Sequence, residues 1–212
     1  MEQKISMGEA VSYGWNVFKK KGWFLVGITL IYIIASSISA PFRNEDNTTW
    51  WGVAYVLSII VGTIFEIGII NIVLKLTLKD GNATFGDLFE KINLFFRFLG
   101  ASLLYGFITF IGLLLLIVPG IILGIKFQFV PYLVVDKNVG ILEAFRMSSD
   151  MTDGKKWMLF EFGLLLLVIN ILGIIALIIG TFVTIPLTMV AKAQMYRQLL
   201  PMIKAKEQAI EA

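Results

Sequence analysis

Four long apolar runs, each flanked by charge, decide what this chain can become: residues 23–40, 50–75, 98–135 and 157–191. A helix that crosses the hydrocarbon core of a bilayer needs about 20 apolar residues at a rise of 1.5 Å each. The first run supplies one crossing. The second, which opens on the interfacial pair Trp50 and Trp51 and closes at Lys75, supplies another. Residues 98–135 carry a single charge, Lys126, and residues 157–191 form a run of similar length. Each is too long for one crossing and suits two. Val118, Pro119 and Gly120 lie at the middle of the third run and predict a tight turn there, because Pro and Gly break the helix. The turn in the fourth run is placed at residues 170–173. The alternative, one long tilted helix, would give five spans and an external C-terminus.

The basic residues decide between these topologies. With six spans every Lys and Arg falls on one side, except Arg43 outside and Lys126 inside span four. Five spans would carry Lys192, Arg197, Lys204 and Lys206 across. Basic residues concentrate on the cytoplasmic side, so six spans with both termini cytoplasmic are expected. The predicted fold is an all-α polytopic protein of the cell (inner or cytoplasmic) membrane. A secretory leader is the competing reading of the N-terminus. Lys19, Lys20 and Lys21 precede an apolar core, and residues 37–40 resemble a cleavage site. The long amphipathic segment before Trp23 argues against it, and so does its recurrence later in the chain.

Composition narrows the chemistry. The hydrophobic share is 58%, against about 45–50% in soluble domains. The chain has no Cys and no His. That removes His-based zinc proteolysis, Ser-His hydrolysis within the membrane, Cys acyl transfer and haem ligation. No carboxylate pair suggests a catalytic site, and no residue set suggests a metal or cofactor, so a non-enzyme is expected. The basic residues flank membrane segments rather than gathering on one soluble face, which excludes a nucleic-acid partner.

One short pattern recurs three times: residues 6–11 (SMGEAV), 84–89 (TFGDLF) and 140–145 (GILEAF). Ser6 and Thr84 are good N-caps, and an acid three residues on lies at the positive end of a helix. Met7, Val11, Trp15 and Phe18 then follow helical spacing, as do Phe85, Leu88, Phe89, Ile92, Phe95 and Phe96, with Glu90, Asn93 and Arg97 opposite. Each copy predicts an amphipathic helix lying in the headgroup plane ahead of a transmembrane hairpin. The single membrane domain, 1–212, therefore divides into units 1–78, 79–136 and 137–212.

Ionisable groups inside the spans mark candidate sites, because a charge in hydrocarbon costs several kcal/mol. Glu66 lies nine residues above Lys75, and Lys126 ten residues before Asp136. Both are therefore about 13–15 Å from the inner boundary at helical rise. Opposite sign at matching depth makes Glu66 and Lys126 a candidate ion pair, structural or functional. Glu161 is close enough to Lys156 to reach the interface. Asn71, Gln128 and Asn170 are expected to hydrogen-bond between helices. Gly120 and Gly124 form a small-xxx-small pair, read as close packing within one chain.

Residues 119–136 (PGIILGIKFQFVPYLVVD), 140–148 (GILEAFRMS) and 154–157 (GKKW) resemble a bacterial family of six-span membrane proteins. That family includes the membrane domain of some glycerophosphodiester phosphodiesterases and many stand-alone uncharacterised members. The resemblance implies the six-span fold and no active site, because the family's catalytic barrel is a separate soluble domain that this chain lacks. The expected function is that of an accessory or structural protein acting on membrane lipids or on another membrane protein. The runner-up is a small transporter, or a component of one, with a polar path at Glu66 and Lys126.

Overall fold

In lipid the backbone must satisfy its own hydrogen bonds, and long apolar runs do so as helices. The computed structural model describes residues 5–37, 48–78, 80–176 and 180–203, and among these there is helix but no strand. The helices are α1 (Met7–Ser37), α2 (Thr48–Leu76), α3 (Phe95–Leu115), α4 (Ile117–Phe127), α5 (Val130–Lys137), α6 (Ile141–Thr152), α7 (Lys156–Ile175) and α8 (Thr181–Leu199). Among the described residues, four segments are long and apolar enough to cross a membrane: Gly52–Leu76, Phe85–Leu115, Ile117–Lys137 and Lys156–Ile175. This architecture is compatible with a multi-pass membrane protein. The loop at 41–47, the end of the first run at 38–40 and the C-terminal residues 204–212 lie outside the described residues.

Both predicted hairpin turns move. The third run does not turn at Pro119. It breaks at Leu116, whose extended backbone (φ −161°, ψ 145°) separates α3 from α4. Pro119 instead occupies the first turn of α4, where its missing N–H costs nothing. Gly120 lets the hairpin close: a Cβ there would lie 2.6 Å from the Leu113 backbone nitrogen. In the fourth run α7 continues through residues 170–173, and the chain turns after Ile175. Two helices, not one long helix, fill that run.

The three recurring starts each open a helical segment, but the segments differ. The Glu9 N–H donates to Ser6 Oγ at 3.3 Å and opens α1. That helix kinks at Lys21 (φ −128°, ψ 26°), and both parts reach α8. A Cβ on Gly14 would lie 2.6 Å from the Leu187 carbonyl, and the Ser6 N–H donates to Gln198 Oε1 at 2.9 Å. The first amphipathic segment thus packs along α8. The third start opens α6. The second, contrary to expectation, is not one amphipathic helix. It forms two 3-10 turns, Phe85–Leu88 and Ile92–Leu94, with the Thr84 N–H bonded to Asp87 Oδ2 at 2.7 Å.

This elbow is pinned to α2. Gly68 meets the Leu88 backbone so closely that a Cβ would lie within 2.7 Å of the Leu88 Cα. Asn71 Nδ2 donates to the Asp87 carbonyl at 3.0 Å and to Glu90 Oε2 at 2.9 Å. Lys75 Nζ pairs with Asp87 at 2.7 Å and with Glu90 at 2.5 Å. Phe85 packs edge-on to Phe24 and Phe89 to Phe65, whereas Phe96 remains 83% exposed. Phe98, Phe129, Leu133, Met151, Met195, Tyr196 and Leu199 form the most deeply buried part of the core. At the α3–α4 turn, Leu114, Leu116, Ile117 and Val118 stay exposed, as side chains facing lipid would.

Candidate functional site

The helices enclose a cavity of about 450 Å³. Helical spacing explains which residues reach it. Glu66, Ile69, Ile70 and Val73 fall on one face of α2. Ser102 and Tyr105 share a face of α3, Leu166 and Asn170 a face of α7, and Thr188 and Lys192 a face of α8. Tyr32 contributes from α1. Gln128, Pro131 and Tyr132 contribute from the break between α4 and α5 and from the start of α5.

That break has a chemical cause. Pro131 at the start of α5 has no N–H to continue the helix. The Lys126 carbonyl is taken up by hydroxyls of α6, with Ser148 Oγ at 2.9 Å and Thr152 Oγ1 at 3.2 Å. The interruption leaves Gln128 facing the cavity and Lys126 off it. Lys126 Nζ sits 5.3 Å from the centroid of the Phe127 ring.

The structure therefore does not bring Glu66 and Lys126 together. The cation that shares the cavity with Glu66 is Lys192, which reaches it from α8. The described residues hold no direct ion pair between them. Depth alone misassigned the partner, because it says nothing of the direction around the helix in which a side chain leaves. Glu66 is exposed as well as cavity-lining, so the chamber opens to its surroundings there. Lys192 Nζ lies 5.8 Å from the centroid of the Tyr132 ring, within cation–π range.

Some of the polar lining is satisfied. Tyr105 OH donates to the Gly124 carbonyl at 3.1 Å. Asn170 Nδ2 donates to the Leu166 carbonyl at 3.0 Å and to Thr188 Oγ1 at 3.3 Å, the interhelical bond expected of Asn170. Ser102 Oγ and Gln128 Nε2 are buried at the cavity and have no partner among the described residues. An orphaned polar group of this kind costs about 1–3 kcal/mol unless something fills its valence.

One turn beyond Tyr132 and Lys192, a clasp closes that end of the bundle. The rings of Tyr132 and Tyr196 lie 5.7 Å apart, and those of Phe129 and Tyr196 6.0 Å. Tyr196 OH donates to Asp136 Oδ2 at 2.9 Å. Arg197 Nη2 pairs with Asp136 Oδ1 at 3.0 Å, and Arg197 Nε reaches Thr77 Oγ1 at 3.3 Å. This ties α2, α5 and α8 together beneath the chamber.

Of the residues singled out from sequence, Glu66, Gln128 and Asn170 meet at the cavity. Asn71 serves the elbow instead, and Glu161 is exposed on α7, away from the cavity. Sequence reasoning missed Lys192, Tyr132, Tyr32 and Ser102. The signal for Lys192 was the four-residue spacing of Thr184, Thr188 and Lys192, which sets a polar stripe on one face of α8.

A family model described as a protein of unknown function (DUF975) matches residues 103–202. The match holds Tyr105, Gln128, Tyr132, Asn170 and Lys192, while Tyr32, Glu66 and Ser102 lie before it. No curated protein and no solved structure matches the chain.

Proposed function

We propose that this chain is a six-span membrane protein that takes a small polar solute into the chamber between its helices, and that it acts as a small transporter or as the solute-binding part of one. The observation that carries the reading is the chamber itself. It holds about 450 Å³ and two opposite charges that do not form a direct ion pair, beside the orphaned Ser102 hydroxyl and Gln128 amide. A core built only for packing would match such groups with one another, because unpaired polar atoms in an apolar surround are costly. A volume of this size falls in the range of sites that hold small molecules, about 300–1,000 Å³.

In this reading the apolar residues 23–37 of α1 and the helix α8 complete four clear crossings to six. The concentration of basic residues in the segments between spans supports cytoplasmic termini, and the three recurring starts support a division into three related units. The protein then sits in the cell membrane with lipid as its surroundings. A second reading, an accessory protein acting on lipid or on a membrane protein partner, is favoured by the exposed apolar tip at Leu114, Leu116, Ile117 and Val118.

Cysteine accessibility separates the two, since the chain has no Cys of its own. Ser102→Cys and Thr188→Cys should each be modified by a membrane-impermeant, polar thiol reagent from one face of the membrane. If neither variant reacts from either face, the chamber is closed to polar solutes and the transport reading fails.

A further inference from the structure

We infer that the chamber recognises a zwitterion with an apolar body: a molecule whose ammonium faces Glu66, whose anionic group faces Lys192, and whose hydrocarbon part lies on the aliphatic wall. The inference rests on the solute-binding reading above and names its substrate class.

Two features of the lining lead there. The first is charge balance. A site for a cation would be expected to present net negative charge, and a site for an anion net positive charge. This one offers one carboxylate and one ammonium on different helices, α2 and α8, both lining one chamber. Two opposite charges held apart on one cavity wall are best satisfied by a ligand carrying the complementary pair. The donors repeat the asymmetry. Gln128 Nε2 has N–H groups with no acceptor, which suit the oxygens of a carboxylate or phosphate.

The second feature is the aliphatic part of the wall. Ile69, Ile70, Val73, Leu166 and Met189 are aliphatic. They can cover a branched side chain or the first carbons of an acyl chain, and the polar side chains set among them, Tyr105, Asn170 and Thr188, already bond within the protein. The shared chemistry is thus a zwitterionic head on an apolar body. Two sources supply it: an apolar amino acid in free solution, and a lipid with an ethanolamine phosphate head.

The test uses the purified full-length chain carrying Ser102→Cys, with the rate of modification by a polar thiol reagent as the readout. The probes are L-leucine, isoamylamine and isocaproate. The last two keep leucine's apolar body but only one charge each. In parallel, the protein is placed in nanodiscs of phosphatidylethanolamine or of phosphatidylglycerol. Saturable protection by leucine, with both single-charge analogues weaker by about tenfold or more, supports the inference with a soluble ligand. Protection in phosphatidylethanolamine nanodiscs but not in phosphatidylglycerol ones supports it with a lipid head. Glu66→Gln and Lys192→Met, added to the Ser102→Cys chain, should each weaken the protection by about tenfold or more. Because those added changes can lose stability, the analogue comparison on the Ser102→Cys chain carries the conclusion alone. If the introduced thiol reacts but no zwitterion protects it, or one charge protects as well as two, the substrate class is wrong and the chamber reading stands. If the introduced thiol never reacts, the chamber reading falls and this inference falls with it.

Discussion

Asp136→Asn should destabilise the protein by about 2–3 kcal/mol, and the structure says where that figure comes from. Asp136 accepts the Tyr196 hydroxyl at 2.9 Å, and the Arg197 guanidinium at 3.0 and 3.3 Å. Its side chain is 13% exposed and that of Arg197 is 22% exposed. Removing one member of a fully buried pair costs about 3–5 kcal/mol, and a single hydrogen bond to a charged group is worth about 1.5–3 kcal/mol. Residual exposure and the acceptor that Asn retains bring the cost toward the lower of those ranges. For a chain of this length each kcal/mol lowers Tm by about 2–4 °C, so the loss should be about 4–12 °C. The assay is the thermal transition of the purified protein in detergent, followed by tryptophan fluorescence. Tyr196→Phe removes one of the bonds and should cost about 1–2 kcal/mol. Lys137→Met is the control. Its ammonium is 3.6 Å from Asp136 and its side chain 40% exposed, which makes the contact worth less than about 1 kcal/mol. If Asp136→Asn leaves Tm within about 1 °C of the parent, or Lys137→Met costs as much, the clasp does not hold α2, α5 and α8 as argued.

Three further outcomes follow from the packing and the charge pattern. Gly14→Val drives a side chain against the Leu187 carbonyl, from which a Cβ would be only 2.6 Å away; a loss of about 1–3 kcal/mol is expected in the same thermal assay. Gly68→Ala should lift the elbow off α2, because its Cβ has no room beside the Leu88 backbone; protease sensitivity near Phe89 should rise while the α3–α4 hairpin stays intact. Reporter fusions at Thr49 and Val118 should read outside, and fusions at Gly81, Gly154 and Ala212 inside; an external C-terminus would overturn six spans.

The amount of this architecture legible from sequence differs from feature to feature, for physical reasons. Apolar runs and caps act locally, so helix content and the helix starts at Ser6, Thr84 and Gly140 could be read directly. Turn positions could not. Pro119 breaks a helix interior but is harmless in a first turn, and the sequence alone does not distinguish the two. The polar residues Glu66, Gln128 and Asn170 stood out because each interrupts an apolar run. Lys192 did not, because it sits where α8 becomes more polar and so reads as a boundary residue. Glu66, which shares its chamber, lies on a helix far away along the chain, so no local pattern links the two. Lys126 misled for the converse reason: it interrupts a run conspicuously, yet its side chain leaves the helix away from the chamber.

In the proposed function Glu66 and Lys192 act as a pair across the chamber they share. A pair of double-mutant cycles on thermal stability tests it most directly. The first combines Glu66→Gln with Lys192→Met, and the second Glu66→Gln with Lys126→Met. The account gives a coupling of about 0.5–3 kcal/mol in the first cycle and simple additivity in the second. Coupling to Lys126 with additivity at Lys192 would contradict it.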